Sequence, residues 1–85
     1  MRTQKVPPQY SRKAAKIIGG MDASTQKRIA RGISKIPEGD IVPFEGTHNS
    51  FRLRVGKWRV IFRWHGEEQV FVQKILTRGG VYKGA

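Results

Sequence analysis

Residues 51–64 carry the clearest pattern in the chain. Phe51-Arg52-Leu53-Arg54-Val55 alternates apolar and basic positions, the period of two expected of a strand with one buried face. Gly56-Lys57 follows, a two-residue loop with glycine first, which suits a type II′ hairpin turn. Trp58-Arg59-Val60-Ile61-Phe62-Arg63-Trp64 is the returning strand. Pairing across that loop sets Val55 against Trp58, Arg54 against Arg59, Leu53 against Val60, Arg52 against Ile61 and Phe51 against Phe62. One face of the hairpin is then wholly apolar, with Phe51, Leu53, Val55, Trp58, Val60 and Phe62. The other carries Arg52, Arg54 and Arg59, with Ile61 among them. His65-Gly66-Glu67-Glu68 reads as the next turn, and Gln69–Thr77, rich in Val, Phe and Ile, as a further strand.

The apolar period changes in the first half. Ile29, Ile33 and Ile36 recur at i, i+4 and i+7, one face of a helix, while Lys27, Arg31 and Lys35 recur on a different face. Asp22 or Ser24 can cap this helix, and Pro37 stops it. Before it, Ser11 is positioned as the N-cap of a shorter helix over Arg12–Ile18, ended by Gly19-Gly20. Pro7 and Pro8 restrict Thr3–Val6 to a short edge strand at most. A short additional strand fits within Asp40–Phe44. The expected architecture is a single α+β domain over residues 1–85, in the order β-α-α-β-β-β. Its antiparallel twisted sheet carries the two N-terminal helices on one face. Trp58 and Trp64 are assigned to the core, with exposure as the alternative for Trp64 beside its turn.

Charge changes what this scaffold is for. The 85 residues include 17 Lys and Arg against 6 Asp and Glu, a formal net charge of +11. So much like charge on a small domain repels itself, and an anionic partner, nucleic acid above all, relieves it. There is no cysteine, which excludes a disulfide framework and thiolate metal sites. No apolar run approaches the ~18 residues of a membrane span, and MRTQKVPPQY has no apolar signal core, so the expected location is the cytoplasm. From Phe51 to Arg63 there are five basic residues and no acid. Arg54 directly opposite Arg59 is unfavourable by roughly 0.2–1 kcal/mol. Uncompensated repulsion of this kind marks an anion site rather than a stability device.

The run GDIVPFEGTHNSFRLRVGKWRVIFRW, followed by KILTRGGVY, resembles the core of the RelE/ParE superfamily of toxins from type II toxin–antitoxin systems, in its RelE-like branch. The upstream stretch SRKAAKIIGGMDASTQKRIARGISKIPEGD is similar to that family's two-helix half, so the resemblance spans roughly residues 10–83. It implies a metal-independent endoribonuclease that cuts mRNA on the ribosome, requiring no cofactor. It also implies a cognate antitoxin and, through the toxin–antitoxin complex, an indirect association with operator DNA. Carried over residue by residue, the family's active groups fall on Arg52 and Arg54, Arg59, the late Arg78 and Tyr82. The family's better-known member has lysines where this chain has Arg52 and Arg54, a departure that matters for the chemistry.

Metal-free RNA cleavage needs a base for the 2′-OH, an acid for the leaving oxygen and positive charge on the phosphate. Guanidinium forks suit the last task and stay protonated, so they do not supply the base. Arg54, Arg59 and Arg78 are accordingly assigned to phosphate, Arg52 to orienting RNA, and Tyr82 to stacking or proton relay. His48 is the leading candidate base, with His65 and Glu45 as others; positioning of the RNA by the ribosome is the alternative that needs none. Lys57, Arg63, Lys27 and Arg31 are expected to bind RNA, with a solvated helix face as the alternative for the Lys27, Arg31 and Lys35 stripe. Two further readings stay open: a ParE-like inhibitor of DNA gyrase, and a decayed toxin that binds RNA without cutting it.

Overall fold

The hairpin forms in the register its alternation dictates. In the computed structural model, which describes residues 2–44 and 49–77, β3 (Ser50–Val55) and β4 (Trp58–His65) pair antiparallel, with Val55 opposite Trp58, Arg54 opposite Arg59 and Phe51 opposite Phe62. Gly56 takes φ +60°, the value that the first position of the expected turn requires and that glycine reaches without steric cost. β5 (Gln69–Thr77) returns antiparallel on the other side of β4.

The remaining elements are β1 (Gln9–Tyr10), α1 (Arg12–Gly19), α2 (Ala23–Ser34) and β2 (Ile41–Pro43), giving a five-stranded sheet in the order β1-β5-β4-β3-β2. β2 realises the additional strand, antiparallel to β3. The first strand corrects the expectation twice. It lies after the two prolines rather than over Thr3–Val6, and it runs parallel to β5, so the sheet is mixed. Pro7 and Pro8 have no N–H for a ladder, so regular pairing begins only at Gln9. Before them Thr3 and Lys5 donate their amides to the carbonyls of Glu67 and Glu68, at 3.1 and 2.9 Å, in the turn between β4 and β5.

Both helices cover one face of the sheet. Ala14 from α1, Ile29 and Ile33 from α2, and Ile36 just beyond it form one buried cluster with Leu53, Val60, Phe62, Val70, Val72 and Ile75. Trp58 and Trp64 sit at the rim of this core, half-buried, rather than inside it. α2 comes close to β3 at Gly32, where a Cβ would lie 2.8 Å from Val55 Cγ2. The helix ends at Ser34, before Pro37, and its last turn tightens: Lys35 and Ile36 donate to the carbonyls of Gly32 and Ile33 at 3.2 and 3.1 Å. Asp22 occupies its N-cap without a capping hydrogen bond from the side chain. The Thr25 hydroxyl beside the carboxyl, and then the backbone amides of the first turn, still hold its pKa below the ordinary value. That contribution to α2 fades as the pH falls through the lowered pKa.

β5 departs from simple alternation. Val72 and Ile75 are three residues apart, yet both are buried in the core. The register shifts between Ile61, opposite Lys74, and Phe62, opposite Val72, so Gln73 is the extra residue of a β-bulge. Two serines hold it. The Ser11 hydroxyl donates to the Gln73 carbonyl at 2.7 Å while accepting from the Ala14 amide at 3.0 Å, and the Ser50 hydroxyl donates to Gln73 Oε1 at 2.9 Å. Ser11 thus caps α1 as expected and also ties its first turn to the bulge.

Ser11→Ala removes both bonds and is expected to lower unfolding free energy by about 1–2 kcal/mol, read from chemical denaturation. Gly32→Val forces a branched side chain against Val55 and is expected to cost about 2 kcal/mol. Gly19→Ala, at a position with nothing within 4 Å of the new Cβ, is expected to be neutral or to stabilise by up to ~1 kcal/mol.

Candidate nucleic-acid interface

The pairing that buries Leu53 and Val60 turns the alternate residues to the opposite face. Arg52, Arg54, Arg59 and Arg63 all project there, because Arg54 pairs with Arg59, Arg52 with Ile61, and Arg63 lies two residues beyond Ile61. The bulge adds Lys74 to the same face, directly opposite Ile61. Ile61 is 1 % exposed but stands outside the helix-facing cluster, so it forms an apolar floor bordered by the stems of Arg52 and Lys74.

The face is not wholly without acid, which corrects the reading from residues 51–63 alone. Asp40, immediately before β2, lies between two of the arginines: Oδ1 is 3.7 Å from Arg52 Nη2 and Oδ2 is 3.8 Å from Arg54 Nε. These separations are long for hydrogen bonds, and such half-exposed pairs are worth about 0–1 kcal/mol each. Arg52 is largely buried, and its Nε finds no hydrogen-bond partner among the described residues. Arg59 has no ion pair among the described residues and lies beside Arg54 of the same sign.

The structure sorts the other expected contacts. Arg63 is on the arginine face, its guanidinium 5.1 Å from the Phe71 ring centroid. Lys57 is elsewhere: its Nζ lies 5.9 Å over the Trp58 ring, and it lines a cleft on the helix side with Ile17, Met21 and Thr25. Lys27 and Arg31 are exposed on α2, in the opposite layer, where with Arg28 and Ser24 they line an open cleft of about 500 Å³. Arg31 also reaches a groove of about 230 Å³ between α2 and the end of β3, shared with Arg28, Lys35, Asp40 and Arg54. That groove connects the helix layer to the arginine face around the sheet edge. The open cleft on α2 is not at the arginine face, and a backbone-tracking surface needs exposed charge rather than a cavity.

His65 stands six residues from Arg59, at the far end of β4 and roughly 20 Å away along the strand, too far to act as a base there. Arg78, Tyr82, His48 and Glu45 lie outside the described residues. Among the described residues no group of three or more His, Asp or Glu could hold a metal ion, and no helix is long and apolar enough to cross a membrane. Three residues of the surface escaped the sequence reading. Asp40 acts across a strand boundary, Lys74 is hidden by the bulge, and Arg28 is visible only as the i−3 neighbour of Arg31.

Asp40→Asn leaves the arginines without their counter-charge. It is expected to tighten binding of a short single-stranded RNA a few-fold at low salt, by fluorescence anisotropy, with unfolding free energy changed by less than about 1 kcal/mol.

No protein-family model and no curated protein matches the chain. Solved structures do. A chain of the RelB–RelE antitoxin–toxin complex from Methanococcus jannaschii superimposes with a TM-score of 0.65 at 21 % identity, over 81 % of this chain and 88 % of that one. A chain of the archaeal RelE–RelB complex from Pyrococcus horikoshii OT3 gives 0.63 at 22 % identity, over 92 % and 94 %.

Proposed function

We propose that this chain, whose fold is that of RelE-like toxins, is the toxin of a type II toxin–antitoxin pair and acts as an mRNA endoribonuclease on the ribosome. The observation that carries the reading is the convergence of Arg52, Arg54 and Arg59 on one sheet face, with Asp40 as the only acid ion-paired to them among the described residues. A phosphate dianion character develops as the 2′-oxygen attacks, and guanidinium groups already in place stabilise it without reorganisation. Arg54 and Arg59, directly opposed, are spaced to share one phosphate between them. Arg78 is assigned to the same phosphate and Tyr82 to stacking or proton relay, and His48 remains the candidate base. Arg63 and the α2 cations Lys27 and Arg31 extend the contact to RNA backbone.

The partners that follow are a cognate antitoxin, mRNA within the ribosome and, through the antitoxin, operator DNA; the compartment is the cytoplasm. Both of the structures reported above are of RelE–RelB complexes, which supports the first of these. An acidic antitoxin segment laid over the arginine face would relieve the same repulsion that RNA relieves.

One observation favours a second reading, a toxin fold that binds RNA without cutting it. Arginine serves poorly as a base, the hairpin face offers only arginines at positions 52, 54 and 59, and among the described residues no histidine stands near Arg59.

The test is growth arrest and cleavage mapping on translated mRNA, with and without ribosomes. Arg59→Ala and Arg78→Ala are each expected to reduce cleavage about 100-fold or more, the usual loss when one transition-state charge donor is removed. Cleavage equal to wild type in both variants rejects the active-site assignment. RNA binding without any cut supports the second reading, and intact mRNA with inhibited supercoiling identifies a gyrase inhibitor instead.

A further inference from the structure

Before β2 begins, the sheet has an open edge. Ile41 lies opposite Leu53, and the Asp40 carbonyl accepts from the Arg54 amide at 3.0 Å. Beyond that bond no strand among the described residues flanks Val55 and Gly56 on their outer side. α2 runs along the gap. Gly32 and Gly39 let backbone close in on the edge, because a Cβ there would meet Val55 Cγ2 at 2.8 Å or Leu53 Cδ1 at 3.1 Å. The result is the groove of about 230 Å³, with Leu53 and Val55 in its floor. Arg28, Arg31 and Lys35 line its α2 side, and Arg54 lines it from the sheet. Arg28 also reaches the hairpin turn: its Nη1 lies 3.7 Å from where a Cβ on Gly56 would stand. The Arg54–Arg59 pair is one residue pair back from that turn, behind Val55 and Trp58. The groove therefore begins where the site assigned to the phosphate ends.

The two sides of the groove differ in sign. The three α2 cations have no ion pair among the described residues. Arg28 and Lys35 are about 10 Å apart along the helix, so each can meet a different phosphate of an extended strand. On the other side Asp40 is shared between Arg52 and Arg54, whereas Glu38 has no cation of its own among the described residues. A carboxylate only accepts hydrogen bonds. It repels an acidic peptide but accepts from a ribose 2′-hydroxyl, the group by which a protein tells RNA from DNA. The apolar floor suits an unstacked base, which a single strand offers and a duplex does not. We propose that an RNA strand held at Arg54 and Arg59 crosses the sheet edge and continues in this groove, its phosphates toward Arg28, Arg31 and Lys35 and a ribose hydroxyl toward Glu38. The substrate is then single-stranded RNA that extends several nucleotides beyond the held phosphate on one side. The inference rests on the arginine face holding RNA; it does not require that the RNA be cut.

The experiment is fluorescence anisotropy of the full chain with single-stranded RNAs of three and eight nucleotides, the eight-nucleotide DNA of the same sequence, and the corresponding RNA duplex. The longer RNA is expected to bind at least tenfold more tightly than the shorter, and at least threefold more tightly than the DNA or the duplex. The double variant Arg28→Gln/Lys35→Gln is expected to remove the gain with length while leaving three-nucleotide binding within twofold of wild type. It also lowers the log–log salt slope for the longer RNA by about 1.4, two phosphate contacts at ~0.7 each. Glu38→Ala is expected to bring RNA and DNA affinities together, and both variants to unfold at the wild-type temperature. A length gain that survives the double variant, or a duplex bound as tightly as the single strand, overturns the groove. So does an oligoglutamate that displaces the longer RNA from wild type but not from the double variant, which assigns the groove to an acidic protein partner. Failure of both RNAs to bind wild type rejects the arginine-face reading and the groove with it. RNA bound with these dependences but never cut leaves the groove standing and rejects only the nuclease reading.

Discussion

The register of β3 against β4 is the constraint on which everything else rests. Leu53, Val60 and Phe62 must face the helices because each contributes about 1.5–3 kcal/mol when fully buried, and all three are at most 2 % exposed. A slip of one residue would exchange them for Arg52, Arg54 and Arg59 and place guanidinium groups in the core. The arginines are thus held on the open face by the burial of their neighbours rather than by any interaction of their own. Gly56 secures the arrangement at the turn, and the close approach at Gly32 lets α2 seat against the same strand.

This division of labour explains why the molecule tolerates a face that repels itself. Arg54 opposite Arg59 costs under about 1 kcal/mol, and the two pairs with Asp40 return an amount of similar size. Both terms are small beside the apolar burial on the other side of the same strands. The face is therefore free to be specified by what it binds. A partner carrying phosphates or carboxylates gains from every arginine without first having to displace a strong internal ion pair.

The bulge at Gln73 plays a comparable part in the last strand. It allows Val72 and Ile75 both to reach the core, and it turns Lys74 and the Gln73 side chain to the arginine side. Ser11 and Ser50 hold the extra residue from two directions, so the start of α1, the start of β3 and the middle of β5 are joined at one point. A single polar junction thereby ties one end of the open face to the start of α1.

Local pattern alone determined a good deal: the hairpin and its register, both helices, the capping role of Ser11, the division into an apolar and an arginine face, and the strong positive charge. These follow from periodicity and turn chemistry, which act over a few residues. Other features depended on chain segments far apart in sequence. The parallel pairing of Gln9 and Tyr10 with β5, the bulge, the counter-charge from Asp40 and the separation of Lys57 from the arginines all arise in this way. No local period encodes them, because each is fixed by which strand happens to lie alongside. The arginine hairpin was legible in the sequence since its alternation is its structure; what surrounds those arginines was decided by the sheet.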